Sequence, residues 1–163
     1  MQSVSSRLPD IGTSIFSVMS KMALDHDAIN LSQGFPDFAV DESIIQRVHR
    51  YMQEGHNQYA PMPGLPILRN AIASVIHRTY QRSVNPETEI TITAGATQGI
   101  FTCLAALLNP GDEVILFDPS YDSYNPSIRL NGGVPGHINL RYPDFTIDWD
   151  QVRATITSRT RMI

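Results

Sequence analysis

Residues 89–124 read EITITAGATQGIFTCLAALLNPGDEVILFDPSYDSY, and their rhythm decides the fold. The β-branched run Ile90–Thr93 predicts a strand. It passes through the small residues Ala94-Gly95-Ala96-Thr97-Gln98-Gly99 into an apolar helix, Ile100–Leu108. Asn109-Pro110-Gly111-Asp112 is a strong turn signal, and Val114–Phe117 predicts the next strand. Further along, Asn131-Gly132-Gly133 precedes a strand over Val134–Ile138, and another run begins near Arg161. Intervals of roughly 20 to 25 residues between strands suit right-handed βαβ crossovers, so the expected class is α/β, a sheet with helices on its faces.

Upstream the pattern is helical. Residues 14–25 place Ile15, Val18, Met19 and Met22 on one face behind a cap at Thr13 or Ser14. A short extended piece, Ile29–Ser32, opens into the turn-rich Gln33-Gly34-Phe35-Pro36-Asp37. A second helix runs from a cap at Asp41 through Ile44, Ile45, Val48 and Met52 to Gly55. After the loop Asn57–Gly64, Pro66 starts a long amphipathic helix marked by Leu65, Leu68, Ile72, Val75 and Ile76. Near the other end, Asp148 caps a helix carrying Trp149, Val152 and Ile156. The run from Thr160 stops after two or three strand residues, where about five are usual, and predicts a truncated chain.

The composition excludes several classes. With 163 residues, 42% hydrophobic and 17% charged, the chain can bury a core. Its net charge of -4 and lack of a basic cluster leave nucleic acid no electrostatic footprint. Ile100–Leu108 is the longest apolar stretch, far short of the ~20 residues of a membrane span. The opening MQSVSSRLPD has no signal-peptide core. Cys103 is the only cysteine and reads as a small core residue in a reducing, cytoplasmic protein. His26, His49, His56, His77 and His137 show no ligand spacing, so no metal is expected.

Two places suggest chemistry. Small residues at Gly95–Thr97 would let an anion approach the N–H groups of a helix N-terminus, where the helix dipole favours negative charge. The alternative is tight strand-to-helix packing with Thr97 as the cap. Tyr121, in Asp118-Pro119-Ser120-Tyr121, lies where a strand ends at the edge on which open α/β sheets bind ligands. It could stack on a flat heteroaromatic ring or be an ordinary packed aromatic. Asp118 and Asp122 form a carboxylate pair nearby, with no acid or base role assigned.

INLSQGFPDF (29–38), NQYAPMPG (57–64), TAGATQG (93–99) and FDPSYDSY (117–124), in this order, resemble the class I/II aminotransferases. These are enzymes of fold type I dependent on pyridoxal 5'-phosphate (PLP), and the likeness is nearest to the methionine-preferring and kynurenine–glutamine transaminase group. It extends over residues 7–163. The resemblance implies that Gly95, Ala96 and Thr97 hold the PLP phosphate and that Tyr121 stacks on the pyridine ring. It further implies that Tyr59 reaches the phosphate of a neighbouring subunit, so that the active site needs a homodimer. Gly34 would lie by the substrate carboxylate, and Phe16 near an apolar side-chain pocket. Read without the family, Gly34 would only permit the turn before Pro36 and Tyr59 would only brace its loop.

The fold so implied is the N-terminal part of a three-layer α/β/α large domain. Residues 1–40 would be an arm with small-domain elements, 41–88 helical elements leading to the dimer interface, and 89–163 the first part of the PLP domain. The implied activity moves an amino group from an α-amino acid, methionine or another large apolar or aromatic one, to a 2-oxo acid. That chemistry needs a lysine to hold the cofactor and move a proton. Lys21, the only lysine, lies four residues from Asp25 in the first helix and reads as a surface charge. No catalytic residue is therefore expected in the chain. The alternatives are a non-catalytic cofactor-binding or dimerisation fragment, and a parent that is a cysteine-conjugate β-lyase.

Overall fold

The computed structural model describes residues 4–34 and 36–163. The chain divides into two compact units, one of Met1–His26 with Ala94–Ile163 and the other of Asp27–Thr93.

The first unit holds helix α1 (Ile15–Asp25), and the second holds α2 (Glu42–Gln53) and α3 (Pro66–Tyr80). The first unit continues with α4 (Ala96–Leu107), β1 (Glu113–Asp118), α5 (Tyr124–Leu130), β2 (Val134–Asn139), α6 (Trp149–Thr155) and β3 (Thr160–Met162). The strands form a sheet of order β2-β1-β3, with both pairings parallel. β1 runs in register with β2 from Glu113 opposite Val134 to Asp118 opposite Asn139.

Successive side chains of a strand point to opposite faces, and β1 is covered on both. Val114 and Leu116 pack with Leu104 of α4 and Ile128 of α5, joined by Ile100, Leu108, Tyr124 and Met162. Ile115 packs on the other face with Ile138 and with Val152 of α6, joined by Phe117 and Ile147. The unit is thus an α/β/α sandwich, as expected, with helices α4 and α5 on one side of the sheet and α6 on the other. Glu113 secures the third strand by accepting hydrogen bonds from Thr157 Oγ1 at 2.6 Å and Arg159 Nε at 2.9 Å.

Capping followed the sequence closely. Ser14 Oγ accepts from Ser17 N–H, Asp41 from Ser43 N–H, and Asp148 from the N–H groups of Asp150 and Gln151. Three expectations fail. Ile90–Thr93 is extended but stands outside the sheet; Ile92 N–H donates to Pro63 C=O at 3.0 Å, so the strand-forming composition is spent within the second unit. The helix expected over Ile100–Leu108 begins earlier, at Ala96, because small residues do not prevent a helical turn. Cys103 is exposed, since the core-facing stripe of α4 runs through Ile100, Leu104 and Leu108 and leaves it on another face.

In the second unit, Arg69 of α3 is 3% exposed. Its guanidinium donates to Gly64 C=O at 3.2 Å and Pro86 C=O at 2.6 Å, and meets Glu87 at 3.3 Å. Gly64 has φ +99°, and a Cβ there would lie 2.3 Å from Ile92 Cγ1. Glycine is therefore required at this turn by conformation and by space alike.

Candidate functional site

The C-terminal end of β1 and the N-terminus of α4 carry the residues singled out in the first unit. Gly95 caps α4 with φ 86° and ψ 163°, a combination essentially reserved for glycine. The cap makes no side-chain hydrogen bond, so Thr97, at the second helical position, is not the cap its sequence suggested. Gln98 instead reaches back and accepts from the N–H of Ala94, much as the acidic member of a capping box does. That bond secures the chain before the helix. Ala96, Thr97 and Gln98 remain exposed, in the first turn where N–H groups have no carbonyl one turn earlier to bond. A Cβ added at Gly95 would meet nothing within 4 Å, so the ground in front of the turn is open.

Tyr121 lies three residues beyond β1 and is 49% exposed. Its ring stands edge-on to Tyr124 at 5.8 Å between centroids and tilted by 41° to Phe16 of α1 at 6.3 Å. The structure thus brings Phe16 beside Tyr121, and links Tyr121 through Tyr124 to the cluster that also contains Ile100, four residues into α4 from Ala96. Two arginines hold the segment before α1 against α5: Arg7 donates to Leu130 C=O at 2.8 Å, and Arg129 pairs with both oxygens of Asp10 at 2.7 Å. The Arg129 guanidinium keeps the Asp10 carboxyl below the usual carboxylate range, chiefly by hydrogen bonding, and is itself raised in return.

A cluster the sequence did not reveal surrounds Asp118. His137 Nδ1 lies 2.7 Å from Asp118 Oδ2, Ser120 Oγ donates to Asp118 Oδ1 at 2.9 Å, and Asn125 Nδ2 stands 3.4 Å from His137 Nε2. Asp118 and His137 are 19 residues apart, and only strand register brings them together. Ser123 Oγ and Asn125 Oδ1 are buried beside this cluster without a hydrogen-bond partner.

Gly34 and Tyr59 belong to the second unit. A Cβ at Gly34 would meet nothing within 4 Å and its φ lies outside the left-handed region, so neither packing nor the turn before Pro36 demands glycine there. The Tyr59 side chain stands fully in solvent and braces no loop. Lys21 is the surface charge expected, its Nζ at 2.9 and 2.7 Å from the two oxygens of Asp25.

Comparison with known proteins gives a consistent result. The profile of the family described as Aminotransferase class I and II matches residues 26–163. The methionine aminotransferase of Escherichia coli is 47% identical over 158 residues, covering 97% of this chain and 41% of that protein. The mouse kynurenine–oxoglutarate transaminase 3 is 31% identical over 96% of this chain and 37% of its own length. Among solved structures, an E. coli protein identified as having a methionine aminotransferase function superposes with a TM-score of 0.93 at 46% identity, covering 98% of this chain and 42% of that one. The N-succinyldiaminopimelate aminotransferase of Mycobacterium tuberculosis gives 0.90 at 38% identity, with the same coverage. The chain spans about two-fifths of the length of these relatives.

Proposed function

Because the chain belongs to the class I and II aminotransferases, we propose that it supplies the phosphate-binding and ring-stacking half of a PLP site in a protein that transaminates α-amino acids. The observation that carries this is the pairing, within one α/β/α unit, of an exposed helix N-terminus behind Gly95 with the half-exposed ring of Tyr121. The residues present suit PLP. The glycine-only backbone of Gly95 leaves room for a phosphate against the first turn of α4, and the dipole of that helix favours its charge. Tyr121 offers a flat face at the edge where α/β sheets bind ligands.

When bound, PLP supplies an electron sink for the pair left at the substrate Cα on loss of its proton. The chain's own residues bind and orient. The N–H groups of Ala96 and Thr97, with the Thr97 hydroxyl, hold the phosphate; Tyr121 sets the plane of the ring. Gly34 brings backbone to the substrate carboxylate, Phe16 faces the substrate side chain, and Tyr59 reaches the phosphate held by a second copy in a homodimer. Lys21 is not proposed as the proton-moving lysine: it stands in solvent on α1, paired with Asp25.

Methionine is the proposed amino donor and a 2-oxo acid the acceptor, a choice supported by the identity to the E. coli methionine aminotransferase. The full-length protein, incubated with PLP, 15N-methionine and a mixture of 2-oxo acids, should deliver the label to the amino acid formed from the acceptor. In a parallel reaction with a 15N-labelled S-alkylcysteine, whose sulfur stands on Cβ, release of labelled ammonia, pyruvate and a thiol, without a labelled amino acid from either substrate, would instead establish a carbon–sulfur β-lyase. No label transfer in either form would refute the reading.

A further inference from the structure

The loop that carries Tyr121 is closed into a ring of contacts. Asp118 ends β1, and its carbonyl accepts from Leu140 N–H at 2.8 Å. One carboxylate oxygen accepts from Ser120 Oγ at 2.9 Å, which folds the loop back on its own start. The other meets His137 Nδ1 at 2.7 Å, on β2. His137 Nε2 lies 3.4 Å from the amide nitrogen of Asn125 on α5. Asn125 follows Tyr124, whose ring meets Tyr121 edge-on at 5.8 Å, and Tyr121 follows Ser120. Two strands, one helix and the loop are thus joined in a circuit with Tyr121 as one member.

Hydrogen-bond chemistry fixes the roles. A carboxylate only accepts, so Nδ1 of His137 carries the hydrogen between the two side chains. Side chains of Asp118 and His137 are 29% and 40% exposed, shielded enough for a bond to a charged group to matter. The hydrogen bonds of these partners run to Asp118 and His137, while the Tyr121 ring meets Phe16 and Tyr124. The effect of the polar partners on the ring is through the loop.

We propose that His137, by holding Asp118 and abutting Asn125, is a positioning residue that sets the plane of Tyr121 for stacking on the cofactor. The inference rests on the PLP reading above. Without the His137 bond, Asp118 keeps its backbone place in the sheet, but the loop loses the cross-strand tie that resists rotation about Pro119 and Ser120. His137→Asn retains an N–H where Nδ1 stands; His137→Leu does not.

The test uses the full-length holoprotein. PLP affinity is read by equilibrium dialysis, and ring orientation by the circular dichroism induced in the cofactor band. His137→Leu should weaken PLP binding about tenfold, the effect of losing one charge-assisted bond, and shrink the induced signal. His137→Asn should restore much of both. Should His137→Leu not fold, His137→Ala serves in its place, since it too removes the donor to Asp118, with the same loss expected. Unchanged affinity and induced signal in these variants, or a His137→Asn no better than His137→Leu, would overturn the inference even where thermal stability falls. A wild-type protein that binds no PLP would overturn the functional reading and this inference together, whereas normal wild-type binding with indifferent variants would overturn this inference alone.

Discussion

Gly95 is the residue on which the proposed site turns. Its φ of 86° with ψ of 163° is a conformation that a side chain resists, and such outliers cost of order 1–3 kcal/mol when not glycine. Nothing stands within 4 Å of a Cβ there, so the strain in Gly95→Ala would be conformational and not steric. Gly95→Ala is accordingly expected to lower unfolding free energy by about 1–3 kcal/mol and to weaken PLP binding by reorienting the first turn of α4. Urea unfolding and a PLP titration check both parts; an unchanged stability would show that the backbone can relax. Gly95 and Tyr121 stood out in the sequence because each sits in a contiguous motif, one opening α4 and the other following β1. His137 was not, because its partner Asp118 lies on another strand, and a lone histidine gives no signal until the parallel register is known. Phe16 was legible only by resemblance; the ring contact with Tyr121 supplies its geometry.

The elements themselves were largely written in capping and periodicity. Ser14, Asp41, Pro66 and Asp148 mark helix starts within a residue or two of where they fall. The strand at Ile90–Thr93 was misread because β-branched composition reports fitness for a sheet, not the presence of a neighbour. The capping and cross-strand carboxylates give the protein an acid limb. Asp41 and Asp148 are held below the usual carboxylate range chiefly by hydrogen bonds from Ser43 and Gln151, and Glu113 chiefly by the Thr157 hydroxyl. On unfolding they return to that range and bind protons that the folded chain refuses, so their contribution is complete above it and declines as pH falls toward the depressed folded values. Denaturation midpoints should therefore drop as pH falls below about 5, and Asp148→Asn should make that drop shallower. An unaltered slope in Asp148→Asn would contradict the assignment. Arg69 is the corresponding anchor of α3. Arg69→Leu strips two carbonyls of their donor and should cost about 3 kcal/mol in urea unfolding, against a negligible effect if water reaches both.

The chain carries the α/β/α layering about β1, with α4 entering one face and the loop to Tyr121 leaving the edge of the sheet. Class and layering followed from the βαβ rhythm of residues 113–163, since alternating strands and helices permit few other arrangements. What the rhythm did not disclose is the network that joins separate elements: the Asp10–Arg129 pair, the Glu113–Arg159 tie and the Asp118 cluster each span long sequence distances. The claim that unites the scales is that α4 presents its N-terminus to a cofactor phosphate while Tyr121 faces the cofactor ring. A crystal structure of the full-length protein with PLP tests it most directly. The expected result is the phosphate within hydrogen-bond reach of the backbone N–H groups of Ala96 and Thr97 and the pyridine ring stacked on Tyr121; a phosphate bound elsewhere, with Tyr121 packed away from the ring, would contradict it.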